Sequence, residues 1–233
     1  MHAVRARVWA AVAAVAGFSA MPAGAAELGF YVGFLYGDAS RDYDREKYSS
    51  LALDVYNNIL DFSADERSFT TDSKGTSYGF LAGYRLTQHI AFEGGYLTLG
   101  KENYRERASG FFFPGEGEPI AENWDLSLTN RTSGFAISAL GILPISYAWE
   151  VYARAGVFFG SNALSVFADN GEFRFNSKFT ESSTDWLAGA GISVSLAEVY
   201  AIRAEFQRIF AAGAKVFGEQ DEDVVSIGLT VAF

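Results

Sequence analysis

The chain has 233 residues, with 24 Gly, 21 Phe, 12 Tyr and 4 Trp but only 4 Pro and no Cys. Lys and Arg number 18 against 28 Asp and Glu, a formal net charge of -10, which argues against a nucleic-acid partner. Without cysteine there is no disulfide, thiolate metal site or cysteine nucleophile. With 20% charged residues and no run of about 18 uncharged apolar residues beyond the N-terminus, the chain fits neither a disordered segment nor a helical membrane protein. A single β-rich domain remains.

Residues 1–26 place Arg5 and Arg7 before an apolar, alanine-rich run from Val8 to Phe18, followed by Ala23-Gly24-Ala25-Ala26. A basic start, a short apolar core and small residues at the end form a secretory signal peptide, with cleavage expected after Ala25 or Ala26. An uncleaved anchor helix is the alternative. The expected mature domain is 27–233, with His89 as its sole histidine.

From there the hydropathy repeats with period 2, the spacing of strands with one apolar face. Phe30, Val32, Phe34 and Tyr36 alternate with Gly29, Tyr31, Gly33 and Leu35. Tyr78, Phe80, Ala82 and Tyr84 alternate with Ser77, Gly79, Leu81 and Gly83, and Ile90, Phe92, Gly94 and Tyr96 with Ala91, Glu93, Gly95 and Leu97. Further strands are expected at about 131–143, 148–160, 185–196, 200–210 and 223–233, eight in all. The first long stretch holds Leu51, Leu53, Val55 and Ile59, which suit either a short helix or a hairpin at Asn57-Asn58 that would raise the strand count to ten.

The connections at 87–88, 144–147 and 197–199 are hairpin turns, whereas 39–76, 101–130, 161–184 and 211–222 are long and richer in charge. Short turns on one side, long loops on the other and an even strand count are the pattern of an all-β, closed antiparallel transmembrane barrel of the bacterial outer membrane, with both termini in the periplasm. A soluble eight-stranded barrel would instead turn its large apolar residues inward. Here the non-apolar face is Gly, Ser and Ala with occasional charges, which suits a crowded interior. Aromatic residues near strand ends, Tyr36, Tyr78, Tyr84, Tyr96, Trp149, Trp186 and Tyr200, suit interfacial girdles. In the third long connection the alternating Phe167, Phe173, Phe175 and Phe179 suggest a hairpin continuing above the membrane and turning at Asn170-Gly171.

Several segments resemble the OmpA-type eight-stranded outer-membrane barrels. They are Gly29-Phe30-Tyr31-Val32-Gly33, the hairpin Ser77 to Gly100, Val151-Tyr152-Ala153-Arg154-Ala155-Gly156 and Ile202-Arg203-Ala204-Glu205-Phe206-Gln207. The resemblance spans nearly the whole mature chain. It implies that Val225, Ile227, Leu229, Val231 and Phe233 resemble the sorting signal read by the outer-membrane insertion machinery. The chain ends at Phe233 with no peptidoglycan-binding domain after the barrel, so a cell-wall anchoring role is not expected.

By strand parity Glu93, Glu150, Arg154, Arg203, Glu205 and Gln207 point inward, with Arg85 near the short-turn end. Buried charges must pair, so these residues are read as a salt-bridge network filling a narrow lumen, or alternatively as a gated ion path. In the family an interior lysine and glutamates act as such a gate. Glu93, Arg203 and Glu205 match, whereas the partner positions fall at Ala139 on the fourth strand and Ser193 on the sixth. The gate's partners are therefore missing.

An acyl-transfer enzyme on lipid A needs a base beside its nucleophile at the outer leaflet. The one candidate, His89, sits at a turn on the opposite side. No catalytic residue, metal or cofactor is expected. Asp38, Asp42, Asp44 and Glu46 with Glu219, Asp221, Glu222 and Asp223 read as a solvated acidic rim, or as a divalent-cation site shared with lipopolysaccharide phosphates. Phe111-Phe112-Phe113-Pro114 is an exposed aromatic cluster. The expected role is an envelope barrel among outer-membrane lipid and lipopolysaccharide. A small passive pore, and an adhesin whose loops bind an unknown extracellular ligand, are the alternatives.

Overall fold

The computed structural model describes residues 28–41, 45–72, 74–112, 117–212 and 220–233, so the export segment lies outside the described residues. Nine strands and one helix follow in chain order: β1 Gly29–Arg41, α1 Arg45–Asn58, β2 Phe62–Asp72, β3 Lys74–Thr87, β4 Ile90–Phe112, β5 Ile120–Pro144, β6 Trp149–Asp169, β7 Arg174–Ser195, β8 Tyr200–Ala212 and β9 Gln220–Ala232. Each strand from β3 to β8 pairs antiparallel with the next, and β1 pairs with both β3 and β9. The pairings therefore close on themselves as a ring. β2 runs on from β3 along the same neighbour: β3 pairs with β4 at Ile90–Thr98, and β2 pairs with it at Asn103–Phe112. The ring thus keeps eight positions, and in its lower part each strand has a paired neighbour on both sides, whereas above it the upper half of β7 pairs with β6 alone and β2 with β4 alone.

Residues 87–90, 144–149 and 195–200 make the short turns, with the Ile145 and Leu196 amides donating to the Trp149 and Tyr200 carbonyls at 2.8 Å. At the other end β6 and β7 turn at Asn170-Gly171. Gly171 adopts φ 92°, and Asn170 Oδ1 accepts the Glu172 and Phe173 amides at 3.0 and 2.6 Å.

The wall changes character partway up. Toward the short-turn end its outer face carries Phe30, Phe34, Phe80, Phe92, Phe135, Ile137, Trp186 and Leu229, all exposed, while Gly, Ser and paired charges face inward. Beyond Tyr96 and Phe135 the alternation inverts. Tyr104, Ala108, Trp124, Leu126, Leu128, Leu164 and Val166 now point inward and are buried, while Arg105, Arg107, Asp125 and Arg131 face out. The lower part is built for hydrocarbon outside and the upper part for water outside.

This inversion corrects the reading of 101–130 as a loop. β4 continues to Phe112 and β5 starts at Ile120, because two polar-out strands pair above the membrane as well as two apolar-out strands pair within it. The upper strands β2, β4, β5, β6 and β7 form a crown, and α1 fills its hollow. Tyr48, Ala52, Val55 and Tyr56 of the helix pack with Leu60 and Phe62 against Tyr104, Trp124, Leu126 and Leu164. The first connection is thus a helix followed by a wall strand. Asn57 and Asn58 belong to the helix and make no hairpin turn, so the ring does not grow to ten.

Candidate functional site in the barrel lumen

The lumen is filled in layers. Nearest the short turns, Arg85 grips Glu150 with both terminal nitrogens, at 3.0 and 2.7 Å, and donates to the Gln88 carbonyl at 2.8 Å. A cavity of about 70 Å³ opens beside this pair, lined among others by Tyr31, Glu93, Ser193 and Arg203.

Above lies a four-membered ionic cluster. Arg203 donates to Glu93 at 2.7 Å and to Glu205 at 2.6 Å, while Arg154 bonds Glu93 and sits 2.9 Å from Glu205. Two phenols complete it. Tyr152 donates to Glu205 at 2.6 Å and accepts from Arg203 Nε at 2.9 Å, its ring 4.6 Å beneath the Arg203 guanidinium; Tyr31 donates to Glu93 at 2.7 Å. Arg85, Arg154 and Arg203 thus face Glu150, Glu93 and Glu205, so these two layers carry no net charge. Such balance is what desolvated ions require, because breaking one pair would leave its partner uncompensated.

Gln207 also faces inward and is 1% exposed, yet its amide makes no hydrogen bond among the described residues. It sits at the edge of the next layer, which is apolar: Ala39, Leu97, Leu99, Ala136, Phe158, Leu187, Ile209 and Val224. Phe158 lies at its centre with no exposure. Its ring occupies the space that side chains at Gly134 and Gly160 would take.

A second ionic layer closes the top of this hydrocarbon plug. Arg41 donates to Glu222 at 2.7 Å, to Glu102 at 3.1 Å and to Thr132 at 3.1 Å, and Thr132 passes a bond to Asn162 at 2.7 Å. Tyr48 of α1 reaches down to Glu102 at 3.3 Å, tying the helix to this layer. Arg41 and Glu222 lie beyond Tyr36 and Val225, where the outward apolar rows of β1 and β9 end. Burial raises the Glu222 carboxyl to about 7 against the pull of Arg41, with neighbouring Glu102 adding to the rise. Burial alone would lower Arg41, but the two carboxylates outweigh it and hold its guanidinium charged.

Two expectations need correction here. Ala139 faces outward in line with Phe135 and Ile137, and the residue level with Glu93 on β5 that faces the lumen is Ser138; alternation along β5 sets the face and the pairing with β4 sets the level, so a match by motif alone misses by one position. Glu222 is no part of a solvated rim, because β1 and β9 meet there and turn it onto Arg41. Asp223 does stay outside, bonded to Arg208 at 2.6 and 2.7 Å, whereas Asp42, Asp44 and Glu219 lie outside the described residues. Ser193 faces the lower cavity, between Glu150 and Arg203. Tyr31, Tyr152, Arg41 and Glu102 join the lumen without having been singled out. Inward parity marked the two tyrosines, and nothing local marked the other two.

Val225, Ile227, Leu229 and Val231 point outward along β9, and Phe233 just past its end is exposed. His89 sits in the turn between β3 and β4, with Nδ1 3.1 Å from the Ile142 carbonyl oxygen. Phe111 lies on the outer face of the crown, and Phe113 and Pro114 of the aromatic cluster lie outside the described residues.

A search of curated protein sequences finds no match. Among solved structures the chain is similar to the Neisserial surface protein A, at 16% identity over 88% of this chain and 97% of that one, with a TM-score of 0.48. It is also similar to Ail, the attachment invasion locus protein of Yersinia pestis, at 12% identity over 89% and 100%, TM-score 0.41. The outer membrane protein OprG of Pseudomonas aeruginosa matches at 15% over 92% and 99%, TM-score 0.40. The family model described as outer membrane protein beta-barrel domain matches residues 10–233. With its closed eight-position ring and lipid-facing apolar wall, the chain belongs to that family and is an integral β-barrel of the outer membrane.

Proposed function

We propose that this protein is a closed, non-enzymatic envelope barrel, with both termini in the periplasm and the crown facing the environment. One observation carries the reading: the lumen is sealed by hydrocarbon around Phe158, with a salt-bridged layer on each side and α1 seated above. A hydrated ion crossing this plug would shed most of its water against hydrocarbon, with only the buried Asp185 opposite Phe158 and the Gln207 amide opposite Val224 as polar neighbours among the described residues, which costs far more than thermal energy. The pore alternative needs the plug itself to move. Signal-peptide removal at residues 1–26 and delivery by the insertion machinery through β9 complete the proposal. Its orientation follows the usual arrangement of short turns inside and long strands outside.

The test is planar-bilayer conductance of the refolded chain, after gel mobility with and without boiling establishes the fold. A silent trace is expected, and discrete steps would overturn the closed-barrel reading. Protease added to intact cells should cut the crown and spare the turns at residues 87–90 and 144–149; the reverse pattern would overturn the orientation.

A further inference from the structure

On the outer wall, Lys101 of β4 and Arg131 of β5 stand directly opposite one another. Like charges in register across two strands repel, so the arrangement is unfavourable unless an anion lies between them. Both are exposed, and Arg105 stands on the same face of β4 two steps higher, beyond Asn103. None of the three meets a carboxylate within salt-bridge distance among the described residues, in contrast to the other outward arginines. Arg107 bonds Asp125 at 2.8 Å, Arg174 bonds Asp169 at 2.7 Å and Arg208 bonds Asp223 at 2.6 Å. Asp72, opposite Asn103 on the neighbouring strand, borders the group but has an interaction of its own.

The height of this cluster points to what fills it. Tyr96 and Phe135, packed edge to face at 5.1 Å, are the last large apolar residues on the outer face of these two strands below it. At ~3.3 Å per residue and a tilt of ~40°, Lys101 stands about 28 Å above Ile90, just past the upper edge of an apolar band about 25 Å tall. Unpaired cations therefore meet the wall where hydrocarbon gives way to headgroups. Around them Ser133, Ser161, Ala163, Ser165 and Thr180 present a low surface of small, mostly hydroxylated side chains, bounded by exposed Lys178 on β7.

We propose that Lys101, Arg131 and Arg105 form a binding site for the phosphate groups of the outer-leaflet glycolipid, lipid A. The acyl chains would lie along Tyr96, Phe135 and Phe159, and a sugar phosphate would sit between the two opposed cations, relieving their repulsion through charge-assisted hydrogen bonds. The choice of lipid A, which lies in the outer leaflet, rests on the crown facing outward.

The test uses the full folded chain in zwitterionic micelles, titrated with bisphosphorylated lipid A and with the same lipid after enzymatic dephosphorylation, and bound lipid counted by native mass spectrometry. The phosphorylated form is expected to bind at least tenfold tighter. K101Q/R131Q should erase that preference, K101R/R131K should keep it, and R107Q, whose arginine is already paired, should leave it within twofold. Boiling-dependent gel mobility checks that each variant is folded. Equal binding of the two lipids, or a preference that survives K101Q/R131Q, would overturn the site. Displacement of lipid A by an equal concentration of inorganic phosphate would overturn its assignment to a lipid. Orientation does not enter a micelle measurement, so a failure here rejects the site, whereas a failure of the proteolysis test on cells rejects the orientation.

Discussion

Gly75 and Gly100 cross so closely that a Cβ built on either would come within 3 Å of the other's Cα. They meet where β3 gives way to β2 and where the pairing of β4 with β5 slips between Thr98 and Lys101. Gly100 also adopts φ 85°, open to glycine at little cost. This contact lets the wall exchange its apolar-out face for a polar-out one without unpairing. Gly100→Ala is expected to destabilise the barrel by about 1–3 kcal/mol. Urea unfolding in micelles would measure it, and an unchanged midpoint would refute the close-crossing role.

Phe158 is the centre of the hydrocarbon plug. Phe158→Ala should cost about 3–5 kcal/mol through the cavity left behind. Unlike the parent, the variant should admit ions intermittently in planar bilayers, because Asn162 and Arg154 lie on either side of the gap. A folded variant as silent as the parent would show that the plug is not the barrier.

Arg203 holds both Glu93 and Glu205. Arg203→Ala leaves Arg154 alone against two carboxylates, and a loss of about 3–5 kcal/mol is expected. Adding Glu205→Gln should recover part of that loss, since it restores the charge balance. A double variant weaker than the single by the full separate cost of Glu205→Gln would mean that the two residues act independently.

Glu222 gives the barrel a pH dependence with a definite sign. Its carboxyl titrates near 7 when folded against an ordinary value of 4.5, so the folded state holds this proton more tightly than the unfolded chain. The stabilisation is complete below about 4.5, declines as pH rises, and is lost above about 7, amounting to on the order of 3 kcal/mol. Arg41, Glu102 and, through Glu102, Tyr48 surround it. Unfolding midpoints at pH 4.5, 6 and 8 should fall more steeply for the parent than for Glu222→Gln. Parallel curves would exclude Glu222 as the titrating group.

The lower barrel was legible in the sequence because its strands obey one rule. Apolar residues face lipid, so parity alone placed Glu93, Arg154, Arg203 and Glu205 inside. In the crown, Asn170-Gly171 marked the turn between β6 and β7, but the upper parts of β4 and β5 were hidden by the same rule. Tyr104, Glu106, Ala108 and Trp124, Leu126, Leu128 alternate just as regularly, but with their polarity reversed, and their charged outer faces resembled solvated loop. Pairing across the ring was also beyond local patterns. Arg41 and Glu222 lie 181 positions apart and meet because β1 and β9 close the barrel, and that Ser138 stands level with Glu93 is set by the register between β4 and β5, which no single strand encodes.

The plug has an electrical consequence. Two ionic sheets separated by a disc of hydrocarbon resemble the plates and spacer of a capacitor. A voltage applied along the lumen drops mainly across the medium of lowest permittivity, here the disc around Phe158. The arginine and glutamate partners on either side are thereby shielded from the applied field, and their pairing should stay insensitive to membrane voltage.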